Sequence, residues 1–308
     1  AFIALLAVVP AALAACGSDG TTLPPAETGP GATTVAGDEG DTATTVPVGD
    51  ADPDDAGLDD PTVVLSLTAE GGFTTREFAF QNPPTLLVTD DGLALTPAPT
   101  LAIFPGPMLP QHNVQPITPV GIDRLIEAVA DAGLLAEVDL ELTGDIAIAD
   151  APTTVLAVTT EDDSIRHEAY ALGIGGGPGE SAESEPGRQA LLGLVERLSG
   201  DLTDVVGDEL GEPEQWIPDA VQITVMSMSG VDLGAEATII DWPAPSSIPL
   251  ATSGVDTFEC REVDDPTVVQ LLVDADQATF FRDPGSSAPD DVFQVIARPA
   301  YPGRGCDA

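Results

Sequence analysis

The order of its predicted strands and helices is the feature that most constrains the fold of this chain. Between residues 61 and 308, groups of β-branched strand segments are followed three times by a single helical segment. Each helical segment begins with a proline, Pro119, Pro186 or Pro266, which suits the first position of a helix. Strands that follow one another in pairs favour antiparallel pairing. The sequence therefore predicts an α+β fold in which antiparallel sheets pack with about three helices in strand-pair-then-helix order.

Local patterns of apolar, capping and turn residues set the boundaries of these elements. The predicted strands are 62–68, 77–80, 85–89, 93–96, 153–159, 165–172, 221–227, 237–240 and 292–298. The predicted helices extend from their prolines to about residues 132, 198 and 274, and the second is open to continuation as far as Val206. We expect Thr118 and Asp265 to cap the first and third helices, and Gly133 to end the first. Residues 207–220 mark a candidate boundary within the domain 61–308.

The charge of the chain excludes several classes of partner and enzyme. Fifty-two acidic residues stand against nine basic ones, a formal charge of −43, which disfavours binding to nucleic acid and to anionic lipid head groups. All the basic residues are Arg, and the lack of Lys excludes Walker-type phosphate loops, Schiff-base enzymes and Ser-x-x-Lys acylases. His112 and His167 are the two histidines, so a His-Glu-x-x-His zinc site is excluded. No cofactor and no metal are predicted.

The first sixteen residues predict where the protein is located. Residues 1–15 are all apolar or small, and they are too few for a bilayer-spanning helix of about 20 residues. They match the apolar part of a secretory signal peptide, whose basic region we expect to precede Ala1. Leu13-Ala14-Ala15-Cys16 resembles the lipobox of bacterial lipoproteins. The resemblance implies cleavage before Cys16, attachment of diacylglycerol and fatty acid such as palmitate to Cys16, and a membrane anchor on the extracytoplasmic face. The alternative is an ordinary signal peptide followed by a chance cysteine.

Residues 16–60 are typical of a disordered acidic stalk. From residue 17 to residue 60 the chain is rich in Thr, Gly, Pro, Asp and Ala, with eleven acidic residues and neither basic nor aromatic ones. A coil of this length spans on the order of 35 to 40 Å. We expect the stalk to hold the domain 61–308 away from the membrane.

Cys260 and Cys306 are the cysteines that remain once Cys16 is assigned to lipidation. An even pair of cysteines outside the cytoplasm normally forms a disulfide. The alternative is a redox or metal-binding pair, but their separation does not match a Cys-x-x-Cys motif. The sequence predicts a disulfide that ties the region before the third helix to the end of the chain.

A proline-rich segment between Pro97 and Thr118 is the candidate partner-binding loop. Its length exceeds that of most connections, and long loops are usually functional or disordered. Phe104, Met108 and His112 are its candidate contact residues. The alternative is a strap whose apolar side chains pack inward against a sheet. His112 is also the candidate acid–base group if the protein is a hydrolase.

Other candidate sites in the sequence have ordinary structural explanations. His167 lies in a predicted strand, where a structural His is expected more often than a ligand. The glycine-rich run 173–179 lacks a following Lys and is followed by acids that would repel phosphate. Trp216 and Trp242 are expected to pack at loop edges, with stacking on a sugar as the alternative. Adjacent acidic pairs could serve as glycosidase carboxylates, but each lies at a predicted turn or cap: Asp90-Asp91, Asp162-Asp163, Asp264-Asp265 and Asp290-Asp291.

Several short motifs add a resemblance to this interpretation. Gly71-Gly72-Phe73, Phe104-Pro-Gly-Pro107, Ile117-Thr-Pro119 and Asp150-Ala-Pro-Thr-Thr154, with the lipobox and the acidic stalk, resemble uncharacterised secreted lipoproteins of high-GC Gram-positive bacteria. The resemblance implies an extracytoplasmic location and a single folded unit, and it transfers no catalytic residues. We therefore expect a non-enzymatic binding or envelope-organising module with a protein or cell-wall partner. The alternative function is a carboxylate-based cell-wall or extracellular hydrolase.

Overall fold

Two β-sheets and five helices make up the part of the chain that the structure describes. The structure is a computed structural model that describes residues 62–101, 103–142, 148–161, 163–174, 185–243, 248–250, 257–285 and 290–306. The predicted signal peptide, the lipidation residue Cys16 and the stalk lie outside these residues, as does most of the glycine-rich run 173–179.

The first sheet has seven strands, and every neighbouring pair in it is antiparallel. Its spatial order is β6-β5-β1-β2-β3-β4-β7. The strands are β1 (Val63–Gly71), β2 (Leu86–Thr89), β3 (Leu93–Pro97), β4 (His112–Pro116), β5 (Pro152–Thr159), β6 (Ser164–Tyr170) and β7 (Glu214–Gln215).

The second sheet has five strands in the order β10-β8-β12-β11-β9. Its pairs are antiparallel except for the parallel pair of β9 and β11. The strands are β8 (Val221–Ser227), β9 (Thr238–Asp241), β10 (Arg261–Val263), β11 (Thr279–Arg282) and β12 (Val292–Pro299). Together the two sheets confirm the predicted α+β class with antiparallel sheets.

The three proline-initiated helices are confirmed as α2 (Pro119–Asp131), α3 (Pro186–Leu198) and α5 (Pro266–Asp274). The Thr118 hydroxyl accepts a hydrogen bond from Gly121 N at 3.2 Å, which caps the first turn of α2. The Asp265 carboxylate accepts from Thr267 N at 2.9 Å and caps α5 in the same way. These helices form where they were predicted because their start signals are local to the sequence. The chain turns after α3 and forms α4 (Thr203–Val206) as a separate element.

Residues 77–80 form part of a helix, so their prediction as a strand is wrong. They lie in α1 (Arg76–Gln81), whose N-cap is the Thr75 hydroxyl, an acceptor from Phe78 N at 3.3 Å. The Gln81 side-chain amide donates to the carbonyls of Met108 and Ala297 at 2.9 and 3.0 Å. The alternating Glu-Phe-Ala-Phe pattern indicated a half-buried strand, but the cap and these distant carbonyls select one and a half helical turns instead.

Separate hydrophobic clusters support the two sheets. Alternate residues of β1 and β5, among them Leu65, Leu67 and Leu156, pack against α2, α3 and α4. The second cluster lies between the second sheet and α5, with Phe281 completely buried in it. Met108 and Leu109 also join this second cluster, so the proline-rich segment contributes to the core on one side.

The predicted disulfide is present in the structure. Cys260 and Cys306 are bonded, with their Cα atoms 5.2 Å apart. Cys260 immediately precedes β10, and Cys306 ends the described part of the C-terminal segment. Side-chain hydrogen bonds hold the same segment, because Gln222 donates to Arg304 O at 2.7 Å and Arg298 donates to Gly305 O at 3.3 Å.

Candidate functional site

The proline-rich segment presents its three candidate residues to different environments. Phe104 is 71% exposed, whereas Met108 is 4% exposed and packs in the second hydrophobic cluster. His112 is 1% exposed and begins β4, which pairs with β3 through the whole of its length. The segment therefore combines the two predicted alternatives, an inward strap at Met108 and His112 and an outward tip at Phe104. The structure does not bring the three side chains together on one surface.

The His112 ring lies in a buried aromatic cluster that joins β4 to the C-terminal segment. Its Nδ1 atom is 3.3 Å from Pro110 O, and its Nε2 atom is 3.3 Å from the Tyr301 hydroxyl. A carbonyl can only accept, so Nδ1 carries the proton and Nε2 accepts from Tyr301. Trp216 packs against both rings, edge-on to His112 at 6.0 Å and stacked on Tyr301 at 5.8 Å between centroids.

Burial of this cluster changes the proton affinities of its members. Desolvation lowers the pKa of His112 to about 4, although the hydrogen bond to Pro110 opposes the shift. Burial also raises the pKa of Tyr301 well above its ordinary value. Both groups are therefore neutral at pH 7, and the His112 imidazole is not poised to exchange protons with a substrate near that pH.

The other candidates from the sequence have structural partners. His167 is buried and its Nε2 atom donates to Leu134 O at 2.8 Å, as expected of a structural histidine. Trp242 is buried in the second cluster and donates to Ile248 O at 3.0 Å. Within the residues that the structure describes, no three His, Cys, Asp or Glu side chains gather in a way that could hold a metal ion. The same residues include no helix with the length and apolarity needed to cross a bilayer.

The described residues form a groove of about 1390 Å³, which we call the outer groove. Its floor consists of Ser66, Thr68, Ala157 and Thr159 from the adjacent strands β1 and β5. These residues alternate with the leucines that face the helices, so the outer groove lies on the opposite face of the first sheet. Its walls are α1 and the C-terminal segment with the disulfide.

The outer groove gathers positive charge in a strongly acidic protein. Four of the nine arginines of the chain line it, Arg76, Arg166, Arg298 and Arg304. Among the described residues that line it, the carboxylates are Glu70 and Asp150. The sign of the charge in the outer groove is therefore opposite to that of the chain as a whole.

Two of these arginines are already committed to the protein itself. Arg166 forms ion pairs with Glu168 at 2.7 Å and with Glu70 at 3.4 Å. Arg298 is 5% exposed and donates to the Gln222 side-chain oxygen at 2.8 Å and to Phe80 O at 3.3 Å. Its desolvation lowers the pKa of the guanidinium. Arg298 therefore ties α1 and the C-terminal segment to β12 and fixes the spacing of the two walls.

Arg76 and Arg304 lie over aromatic rings. A hydrogen bond with Thr75 and, at longer range, the charge of Arg76 lower the pKa of the neighbouring Glu77. The Arg76 guanidinium carbon is 5.5 Å from the centroid of the Phe258 ring, and that of Arg304 is 5.9 Å from the Tyr301 ring. Arg304 also donates to Asn82 O at 3.1 Å. Within the described part of the chain, no carboxylate lies at salt-bridge distance from either guanidinium. Stacking on a ring orients a guanidinium and leaves its N–H edge available to an anion.

Exposed phenylalanines border the outer groove beside these arginines. Phe73 is 90% exposed and Phe78 is 65% exposed, and both line the outer groove. Phe73 N donates to Asp150 O at 3.0 Å, and Gly72 precedes it with a φ of 85°. A Cβ atom on Gly72 would lie 3.3 Å from Pro152 N, so this turn requires glycine. The backbone therefore holds Phe73 in place while its ring is exposed to solvent.

Glycine also allows the C-terminal wall to approach β1 closely. Gly303 has a φ of 69°, and a Cβ atom there would lie 2.9 Å from Val63 Cγ2. This contact and the disulfide place the wall against the start of β1, which closes one side of the outer groove.

Reasoning from the sequence did not find the outer groove. Its lining comes from five separated stretches, 63–87, 150–166, 258–260, 298 and 302–306, so no local motif marks it. The lack of Lys and the nine arginines were visible in the sequence, but their placement was not. The one local signal was Gly71-Gly72-Phe73, which contributed only to the resemblance with lipoproteins.

No protein-family model, curated protein or solved structure matches this chain.

Proposed function

We propose that this protein is a lipid-anchored, extracytoplasmic binding module whose ligand surface is the outer groove. One observation carries the proposal: Arg76 and Arg304 line a concave surface without a carboxylate at salt-bridge distance among the described residues, in a chain with 52 acidic residues. Exposed apolar rings on a concave surface are typical of binding sites, and arginine and aromatic residues are enriched among the residues that contribute most to binding.

The lipobox-like segment ending at Cys16 and the disulfide support the location of this module. A disulfide is typical of proteins outside the cytoplasm. Two or more acyl chains on Cys16 would anchor the protein stably, and the acidic stalk would separate the outer groove from the membrane.

The alternative function, a carboxylate-based hydrolase, relied on His112 as its best single acid–base candidate. That ring is buried in the aromatic cluster, is neutral at pH 7, and is not part of the lining of the outer groove. We find no observation that favours this alternative over binding.

Membrane fractionation tests the anchor. Wild-type chain and Cys16→Ser are expressed in a bacterial host that processes lipoproteins, with a clickable fatty acid in the medium. We expect the wild type to carry the label and to sediment with membranes, and Cys16→Ser to lose both properties. An unlabelled wild type, or a variant that still sediments with membranes, would show that the anchor assignment is wrong.

Photo-crosslinking tests the binding surface. Phe73 is replaced by p-benzoylphenylalanine, which keeps an aromatic ring at the border of the outer groove, in the membrane-attached chain on intact cells. The matched positions are Phe104, which is also strongly exposed but lies outside the outer groove, and Arg197, which is exposed on α3. We expect a discrete adduct from position 73 and none from position 197. The absence of any adduct from position 73 would refute the outer groove as a ligand surface.

A further inference from the structure

We infer that the ligand of the outer groove is a peptide segment that carries one or two carboxylates among apolar side chains. The inference rests on the proposed binding function and adds the chemical class of the ligand. Three features of the outer groove carry it: the unused N–H groups of two arginines that lie over aromatic rings, the exposed phenyl rings, and the hydroxyl-bearing strand surface of the floor.

Arg76 and Arg304 select a carboxylate. A guanidinium whose face lies on a ring can still donate two parallel N–H bonds from its edge, and that fork matches a carboxylate. Arg76 makes no hydrogen bond to the described part of the chain beyond its helical backbone, so its N–H groups are free to donate to a ligand. Arg304 keeps one bond to Asn82 O and has further donors to offer.

The charge of the whole chain limits the number of carboxylates. A formal charge of −43 repels any polyanion at long range. The four arginines that line the outer groove outnumber its two carboxylates, but this positive charge acts only within the outer groove. A polymer with charge on every unit would face this repulsion along its length outside the groove. A ligand with one or two carboxylates meets the arginines and presents little further charge.

The remaining lining matches a peptide that has apolar side chains and a main chain able to form hydrogen bonds. Phe73 and Phe78 offer rings for apolar side chains, and the hydroxyls of Ser66 and Thr159 can donate to or accept from main-chain amides. The volume of about 1390 Å³ exceeds the usual range of small-molecule pockets, about 300 to 1,000 Å³, and suits an extended segment.

Direct binding with defined peptides tests this inference. The protein is the full chain carrying Cys16→Ser, so that it stays in solution. Fluorescent peptides contain two carboxylates among Leu and Phe residues, and a second set carries Gln and Asn in place of the acids. Polyglutamate and polyphosphate are the polyanion probes. We expect the acidic-apolar peptides to bind at least tenfold more tightly than their amide versions and than either polyanion, since charged hydrogen bonds contribute tenfold or more each.

A matched pair of variants locates the contact. Arg76→Gln removes a groove guanidinium, and Arg197→Gln removes an exposed guanidinium on α3 with the same change of net charge. We expect Arg76→Gln to weaken the acidic peptides about tenfold, to leave the amide peptides unaffected, and to unfold at the same temperature as the wild type. Arg197→Gln should bind as the wild type does. Should Arg76→Gln lower the unfolding temperature, Arg76→Lys, which keeps the charge without the fork, replaces it and should weaken binding severalfold.

The outcomes separate the inference from the function beneath it. Suppose that position 73 gives an adduct on cells. Tighter binding of a polyanion, equal binding of the amide peptides, or no binding of any peptide would then overturn the peptide inference and leave the binding function in place. The lack of an adduct on cells would remove the binding function itself.

Discussion

Because His112 is buried, we expect acid to lower the free energy of unfolding, and we expect substitution of His112 to remove this part of the pH dependence. Folding lowers the pKa of His112 from 6.5 to about 4. Between these pH values the unfolded chain therefore binds a proton that the folded chain does not bind. The stabilisation that comes from the neutral His112 is complete above about pH 6.5. It decreases progressively below that pH and is lost once the pH falls through about 4. One pKa unit corresponds to about 1.4 kcal/mol, so the contribution is about 3 kcal/mol.

Urea unfolding at a series of pH values measures this contribution, with the fluorescence of Trp216 and Trp242 as the signal. Protonation of the many carboxylates also changes stability over this range, so the wild type is compared with His112→Gln, which shares those carboxylates and His167. We expect the difference in unfolding free energy between the two to shrink by about 3 kcal/mol from pH 7.5 to pH 4. A difference that stays constant over this range would refute the buried, neutral imidazole.

Three further predictions concern the walls of the outer groove, each measured by chemical denaturation. Replacing Cys260 and Cys306 with Ser should lower the unfolding free energy by about 4 kcal/mol, because their separation of 46 residues sets the loop entropy released to the unfolded chain; an unchanged value would contradict this. Arg298→Met should cost about 3 kcal/mol, because it leaves oxygen acceptors at the wall without their donor. Gly303→Ala should lower the unfolding free energy by about 1 to 2 kcal/mol, because the residue has a positive φ and its Cβ would contact β1. The control is Gly193→Ala in α3, which has nothing near its Cβ position and should raise the unfolding free energy by up to about 1 kcal/mol.

The parts of the fold that the sequence predicts are those whose signals are local. A proline at the first helical position, a capping residue before it and apolar periodicity after it lie within one stretch of chain, and α2, α3 and α5 formed there. The disulfide could be predicted because two cysteines remained after Cys16. The helix α1 could not, because none of its residues is buried and its position depends on carbonyls of Met108 and Ala297.

The candidate site depends on contacts between distant parts of the chain, and this explains why the sequence did not reveal it. His112 looked like an available acid–base group, but Tyr301, 189 residues further along, buries it. Arg76 and Arg304 line the same groove only when β1 pairs with β5 and the disulfide holds the C-terminal segment. Whether an arginine has a carboxylate partner is also decided by these contacts and not by composition.

A comparison of two sets of exposed phenylalanines decides whether the outer groove is the ligand surface. The soluble full chain with Cys16→Ser is bound to isolated cell envelopes. The double variant Phe73→Ser and Phe78→Ser is compared with Phe104→Ser, which removes a strongly exposed ring from the proline-rich segment. Burial of each ring contributes about 1.5 to 3 kcal/mol, so we expect the double variant in the outer groove to bind more than tenfold more weakly and Phe104→Ser to bind as the wild type does. Normal binding by the groove variant, with loss of binding by Phe104→Ser, would instead place the ligand surface on the proline-rich segment.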